Sequence, residues 1–570
     1  MPALTPQDAT RYWLSRRTGN DLFLLYCFEE TDRPTADLRA LVARRSAEIA
    51  DLRLRVRERR FAYPEWTPCD FVADQVVEHE GAGTDWANTV AALGDLVARP
   101  LRAEEYAWRL HLFRGVRGAP AGDGPALIAV LQLSHALADG QRAAAIARAL
   151  FSQSPDGCDR AVPAFLPDGS PAAPTSAAPS DSSAMPGSVL PPGSVAVVTS
   201  ASPDDPPAVT GSGSPNDSSA APASVSFEGS SKPSGSVSPD GSSAAPGYVS
   251  TEGFPKPSGS IAPRDRPTPG GPGRVRRPKP SLALAGWAVT GALKDLAPEL
   301  LSLAAAPILL GRTATSGLAA ERARRELAAR TARGELPPIA PELAPTPLNR
   351  GPRPRAHAVR MLVRSDLRVP GHTVTVVVLT ALGAALPRYL EARGEPSERI
   401  AAQVSMAHRQ PRGRIRNNYR DLAVELHVGE SDPRRRAERI AATLAERRRR
   451  AEHPLLAAQD RVTATIPAPI LRRDVATYPL DHAPAALSAH TVVSSVNRGP
   501  ADLSLAGGRV RFTAGFPALG AVMHLTHGVH GLGDTVTVSV HADPAVLPDV
   551  EHYAALLDAA LTRTAAALRE

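Results

Sequence analysis

The run Leu133-Ser134-His135-Ala136-Leu137-Ala138-Asp139-Gly140 joins two different patterns. Before it, Pro125-Ala126-Leu127-Ile128-Ala129-Val130-Leu131-Gln132-Leu133 is a short apolar stretch without alternation, which reads as a strand buried on both faces. After it, Gln141 to Phe151 reads as a helix. A histidine at the end of a buried strand, with a carboxylate four residues later, is placed on a tight turn beside a cleft. Imidazole is the side chain whose ordinary pKa suits general-base work near neutrality, so His135 is the candidate base. Gly140 permits a positive φ or a close backbone approach. Asp139 reads as the structural anchor of the loop, through a local salt bridge to an arginine that would hold the imidazole in place. A buried histidine satisfied by backbone groups in an ordinary turn would give the same eight letters.

Outward from this turn the chain divides into four parts: a first half over 1–151, an insert over 152–280, a helical crossover over 281–345 and a second half over 346–570. In the first half, Thr35 to Arg60 reads as a basic amphipathic helix. The insert is Ser, Pro, Gly, Ala and Asp with few large apolar residues, the composition of a disordered linker. Within it Ser218-Ser219-Ala220-Ala221-Pro222 recurs as Ser242-Ser243-Ala244-Ala245-Pro246, a tandem repeat too polar to stack as a solenoid. Leu282 to Leu310 reads as a helix pair packed on the core, with lying on a membrane surface as the alternative. In the second half, Arg434 to Arg450 is a charged helix whose arginine runs read as a solvated face. Thr535 to Val540 alternates like a half-buried strand, and a last helix runs from about Pro548 to Arg569. Strand and helix patterns mixed in both halves give an α/β (α+β) fold class.

Composition removes several classes of function. Three widely spaced cysteines (Cys27, Cys69, Cys158) build neither a disulfide framework nor a thiolate zinc site, which suits a reducing compartment. No secretory leader is readable in Met-Pro-Ala-Leu-Thr-Pro-Gln-Asp, so a cytoplasmic protein is expected, with association at the inner face of a membrane as an option. Lys294, Asp295, Pro298, Glu299 and Pro307 interrupt the most apolar stretch, which cannot span a bilayer. The formal charge of +7 suits an anionic partner, but aromatics at 4% are not interleaved with a basic patch, and no nucleic acid is expected. His524, His527, His530 and His541 invite a metal reading. Their strand-like spacing sends side chains to opposite faces and no carboxylate or cysteine is expected close by to complete a ligand set, so no metal is expected.

The His135 loop resembles the His-x-x-x-Asp-Gly motif of the CoA-dependent acyltransferase superfamily, and in particular the bacterial wax ester synthase/acyl-CoA:diacylglycerol acyltransferase family. Arg99-Pro100-Leu101-Arg102 and Tyr106 to Val116 resemble its Pro-Leu-Asp and Pro-Leu-Trp-Glu segment. Pro347-Leu348-Asn349-Arg350-Gly351 resembles its Leu-Asn-Gly entry to the second half, and Ala385-Leu386-Pro387-Arg388-Tyr389-Leu390 its Ala-Leu-Arg-x-Tyr-Leu helix. Val404-Ser405-Met406 to Arg409, Asn417-Asn418, and Val493-Ser494-Ser495-Val496 to Gly499-Pro500 look like degenerate Pro-Val-Ser-x-Arg, Gly-Asn and Ser-Asn-Val-Pro-Gly-Pro signatures. The chain also departs from the family. Ser134 replaces the first motif histidine, Thr375-Val376 stand for an Asn-Asp pair, and Ser495-Val496-Asn497-Arg498-Gly499-Pro500 is one residue longer than its counterpart.

The resemblance implies two chloramphenicol-acetyltransferase-like halves around a central cleft. It implies an enzyme in which His135 takes a proton from a lipid alcohol, diacylglycerol or a fatty alcohol, as that oxygen attacks acyl-CoA. Acyl-CoA is then a co-substrate, no cofactor is needed, and triacylglycerol or wax ester is the product, made in contact with a membrane or lipid-droplet surface. Two other readings stay open: a catalytically weakened acyl-binding or regulatory homologue, and a condensation-type enzyme using carrier-protein thioesters.

Overall fold

The computed structural model describes residues 2–79, 85–152, 282–351, 354–407, 415–480 and 484–570, without the side chains of 282–298, 303, 457 and 459. The insert with its repeat, Cys158 and Arg409 lie outside the described residues. The first half runs α1 (Pro6–Ser15), β1 (Leu22–Glu29), α2 (Thr35–Glu48), β2 (Leu54–Arg57), β3 (Glu65–Pro68), β4 (Val76–Glu78), α3 (Trp86–Val97), β5 (Trp108–Val116), β6 (Ala126–Leu133) and α4 (Gly140–Phe151). The remainder runs α5 (Leu282–Ala332), β7 (Ala358–Arg364), α6 (Val374–Ala392), β8 (Ala401–Ala407), β9 (Tyr419–Glu425), α7 (Pro433–Ala451), α8 (Leu456–Thr465) and α9 (Ala468–Thr477). It closes with β10 (Thr491–Asn497), β11 (Ser504–Leu505), β12 (Gly508–Gly515), β13 (Leu525–Leu532), β14 (Thr535–Ala542) and α10 (Val550–Arg569).

The larger strands form two six-stranded sheets, ordered β11-β12-β1-β6-β5-β4 and β7-β14-β13-β10-β8-β9. Strand β6 is hydrogen-bonded on both edges, to β1 and β5, and all its residues are buried. That double burial is why its sequence is apolar throughout. The second half also contributes to the first sheet: β12 pairs antiparallel with β1, from Leu24 opposite Gly515 to Cys27 opposite Phe512. One core packs α1, α2 and α4 on the first sheet, around Tyr12, Tyr26, Trp108 and Phe151. Another packs α6 and α10 on the second sheet, with Tyr389 against Tyr553. A third joins α3 and the other face of the first sheet to Val359 of β7. Among the described residues one helix, α6, is long and apolar enough to cross a membrane, and 67% of that window is buried in the core.

Four expectations need correction. The helix expected over Thr35–Arg60 stops at Glu48, because Ile49 is extended and Leu54-Arg55-Val56-Arg57 alternates about a buried Val56 as a strand. The basic residues there belong to a period-two pattern. Strand β14 is buried on both faces beyond Thr535, since sheet strands cover one side and α10 packs on the other. The expected helix pair over Leu282–Leu310 is a single helix of 51 residues, α5. It meets the body through polar groups: the Glu299 carboxylate accepts from the backbone N–H of Arg60, Phe61 and Ala62, and Thr313 donates to the carbonyl of Thr465. Its Leu300, Leu301, Ile308, Leu310 and Leu318 face outward. Finally, α7 is not simply a solvated arginine face. Arg436 is buried, and Arg450 donates to Thr331 Oγ1 and the Pro337 carbonyl.

Candidate active site

The turn after β6 is built from backbone bonds. Ser134 donates to the carbonyl of Ala107 and Leu137 to that of Ser134. Asp139 is the N-cap of α4, its Oδ1 accepting from the Arg142 N–H at 2.9 Å. Its other oxygen accepts from the Asn418 N–H at 3.0 Å, and its own N–H donates to the Arg416 carbonyl. Asp139 is tied into the loop through backbone amides and not through the arginine salt bridge expected from sequence. The nearby guanidinium groups go elsewhere: Arg142 makes a two-pronged pair with Asp51 at 2.8 and 2.9 Å, and Arg416 reaches the same carboxylate at 2.7 Å.

Asn417 completes the clamp. Its amide donates to the carbonyl of His135 at 2.8 Å and to Asp8 Oδ1 at 2.9 Å. Asp8, buried on α1, also accepts from the N–H groups of Arg416 and Asn417 and from Thr5. Residues 415–419 thus lie across the histidine loop and are held there by α1. Asp8 and Arg11 were not singled out from sequence. Thr5 three residues before Asp8 marks a helix start, and nothing local says that the start faces residues more than four hundred positions away.

His135 is half-buried beside a ring partner, Tyr419, whose centroid lies 6.1 Å away at 22° between planes. Its Nδ1 is buried in the loop, against the backbone of His135 and Ala138. Burial, and then the positive charge of Arg11, push the imidazole down to about 3, so the ring is neutral and its lone pair is free near neutrality. Ser134 is buried and its hydroxyl has no partner. Gly140 has no positive φ; its role is close approach, since a Cβ there would lie 3.0 Å from Val496 Cγ2 on β10. Asp421, on the same face of β9 as Tyr419, is raised to about 6 by burial.

Val496 also lines a cavity of about 550 Å³ with Arg368, His372, Thr373, Thr375, Ser495 and Asn497. The cavity lies at the N-terminus of α6, which Thr373 caps by accepting from the Val376 N–H. Thr375 Oγ1 donates to Ser495 Oγ at 2.9 Å, so two altered signature positions meet as a hydroxyl pair.

The C-terminal histidines are spent separately. His527 lies between Thr491 and Tyr553, and His541 between His357 and the Pro517 carbonyl. His524 is 3.2 Å from Asp543, a carboxylate that the β13–β14 hairpin brings close although it is distant in sequence. That corrects the expectation of no nearby carboxylate.

Residues 417–564 match the family model described as the WS/DGAT C-terminal domain. This segment carries the signature of the wax ester synthase/diacylglycerol acyltransferase family. The match begins at Asn417, the clamp residue, and includes the altered signature around Ser495, whereas the His135 loop lies outside it. Among solved structures the chain resembles a wax ester synthase/diacylglycerol acyltransferase from Marinobacter aquaeolei VT8, with TM-score 0.51 and 12% identity over 99% of this chain and 98% of that one. It also matches trichothecene 15-O-acetyltransferase from Fusarium sporotrichioides, with TM-score 0.48 and 10% identity over 100% and 95%. The first condensation domain of the calcium-dependent antibiotic synthetase matches with TM-score 0.49 and 13% identity over 100% and 96%. No curated protein matches the chain in sequence. The Marinobacter likeness supports the two-halved acyltransferase fold expected from the motifs.

Proposed function

We propose that this chain is an acyl-CoA-dependent O-acyltransferase that forms neutral lipid, triacylglycerol or wax ester. The observation that carries the reading is that the family-matched segment opens on Asn417, which holds the carbonyl of His135. His135 Nε2 takes the proton of the acceptor hydroxyl while that oxygen attacks the thioester carbon. The tetrahedral oxyanion is met by the Thr375–Ser495 hydroxyl pair. The C–S bond breaks, and the imidazolium returns its proton to the departing CoA thiolate. No metal, cofactor or covalent enzyme intermediate takes part. Arg368 and the N-terminus of α6 supply positive potential for the CoA end of the donor. The acceptor is a lipid alcohol, diacylglycerol or a fatty alcohol. The outward leucines of α5 suit work in the cytoplasm against the inner membrane face or a lipid droplet.

Ser134 in place of the first motif histidine favours a second reading, an acyl-binding homologue without turnover. Both are decided by offering labelled palmitoyl-CoA with diacylglycerol or hexadecanol to the purified protein, with His135→Ala alongside. Neutral lipid that disappears in the variant establishes the enzyme. Acyl-CoA binding without product establishes the second reading.

A further inference from the structure

Between the two sheets runs a polar seam that the proposed reaction does not use. Arg498, immediately after β10, is 3% exposed, with its guanidinium 5.3 Å from the centre of the Tyr26 ring and one nitrogen donating to Thr513 Oγ1. Among the described residues no carboxylate pairs with it. His530 of β13 is equally enclosed. Both side chains reach one spot on β12: a Cβ on Gly515 would lie 2.7 Å from Arg498 Nη2 and 2.9 Å from His530 Nε2. Around them Arg498 Nε, His530 Nδ1, Thr537 Oγ1 and Ser539 Oγ are buried without a hydrogen-bond partner, and Tyr26 Oη lies against the guanidinium. Thr537 stands opposite His530 and Ser539 opposite Gly528, so these groups share one face of the second sheet.

Buried polar atoms in native proteins are paired, and a cluster of unpaired ones marks an enclosed water or ion. Water would satisfy the hydroxyls. It would leave the guanidinium charge uncompensated in a low-dielectric interior, where an unpaired ion is strongly unfavourable. Burial and the repulsion of Arg498 hold His530 well below the usual imidazole range, so its ring is neutral and offers one N–H beside a fixed positive charge. Arg498 belongs to the segment in which the chain is one residue longer than the family signature.

We propose that a small monovalent anion, a halide or a single carboxylate group, binds between the sheets on Arg498, with Tyr26, His530 and the facing hydroxyls as its remaining donors. The site ties β10 and β13 of one sheet to β1 and β12 of the other, so occupancy stabilises the folded chain by mass action.

The test is the thermal unfolding midpoint of the full chain at constant pH and ionic strength, with isethionate replaced stepwise by chloride, bromide or acetate at low millimolar concentration. The expected result is a saturable rise of about 2 °C or more with at least one of the small anions. The halide and acetate arms show which chemistry the site takes. Arg498→Met removes the response, whereas Arg435→Gln, an exposed arginine on α7, retains it. Should Arg498→Met fail to fold, His530→Leu weakens the same response and serves in its place. Equal wild-type midpoints in all four salts overturn the proposal, as does an undiminished response in the Arg498 or His530 variant.

Discussion

Replacing Asn417 by alanine tests whether the second half holds the histidine loop in place. The substitution removes the 2.8 Å bond to the His135 carbonyl and the 2.9 Å bond to Asp8, both in a buried setting. A hydrogen bond to a neutral carbonyl contributes about 1 kcal/mol, and one to a charged group about 1.5–3 kcal/mol. Asp8 keeps Thr5 and two backbone N–H donors, so its remaining bonds offset part of the loss. The expected destabilisation is about 2–4 kcal/mol, read as a lower midpoint in urea with an unchanged slope. Steady-state ester synthesis at a temperature where the variant is folded should show kcat down about tenfold, the effect of a base displaced by a fraction of an ångström, while KM for acyl-CoA stays put. An Asn417→Ala protein within about 0.5 kcal/mol of wild type and with full kcat would refute the clamp.

Three further outcomes are expected. Gly140→Ala places a methyl group 3.0 Å from Val496, lowering kcat/KM and stability, and Val496→Ala in the same chain should restore both; failure of that rescue would mean the contact is not what restricts residue 140. The pH–rate profile of kcat/KM should be flat from pH 8 to below 6.5, falling only at more acid values, since His135 is pushed down to about 3; an acid limb at 6.5 would place another group in charge. Stability should fall as pH drops below about 6.5: His111, His135, His527 and His541 all lie near 3 when folded, so the unfolded chain binds their protons first and gains from them. Asp21 at about 7 and Asp421 at about 6 oppose this, because the folded chain binds their protons first, but two carboxyls do not outweigh four imidazoles; urea midpoints that rise between pH 6.5 and 4.5 would contradict the sign.

Local signals were legible and distant ones were not. Strand β6, the turn at His135 and helix α4 were readable because apolar run, turn and helical period follow one another within about thirty residues. The ends of α7 and α10 were readable for the same reason. Arg53 to Arg57 was misread because arginines alternate there as a strand edge while resembling a charged helix face. The outward leucines of α5 carry no sign in sequence of which side is wet, since its docking groups are Glu299, Ser302 and Thr313 rather than an apolar stripe. Asn417-Asn418 was visible as a degenerate signature, but its partners are Asp8 and the carbonyl of His135, and only the fold brings them together.

The placement of β12 has a consequence for any attempt to divide this chain. Without the second half, β1 has no neighbour on the side where β12 binds, and Leu24 to Cys27 present an open, apolar edge to whatever strand passes. A fragment ending near residue 152 should therefore aggregate when made alone and become soluble when the remainder is co-expressed, the second piece acting as a folding partner supplied in trans. The backbone joining the pieces would then be dispensable, and the strand it delivers would not.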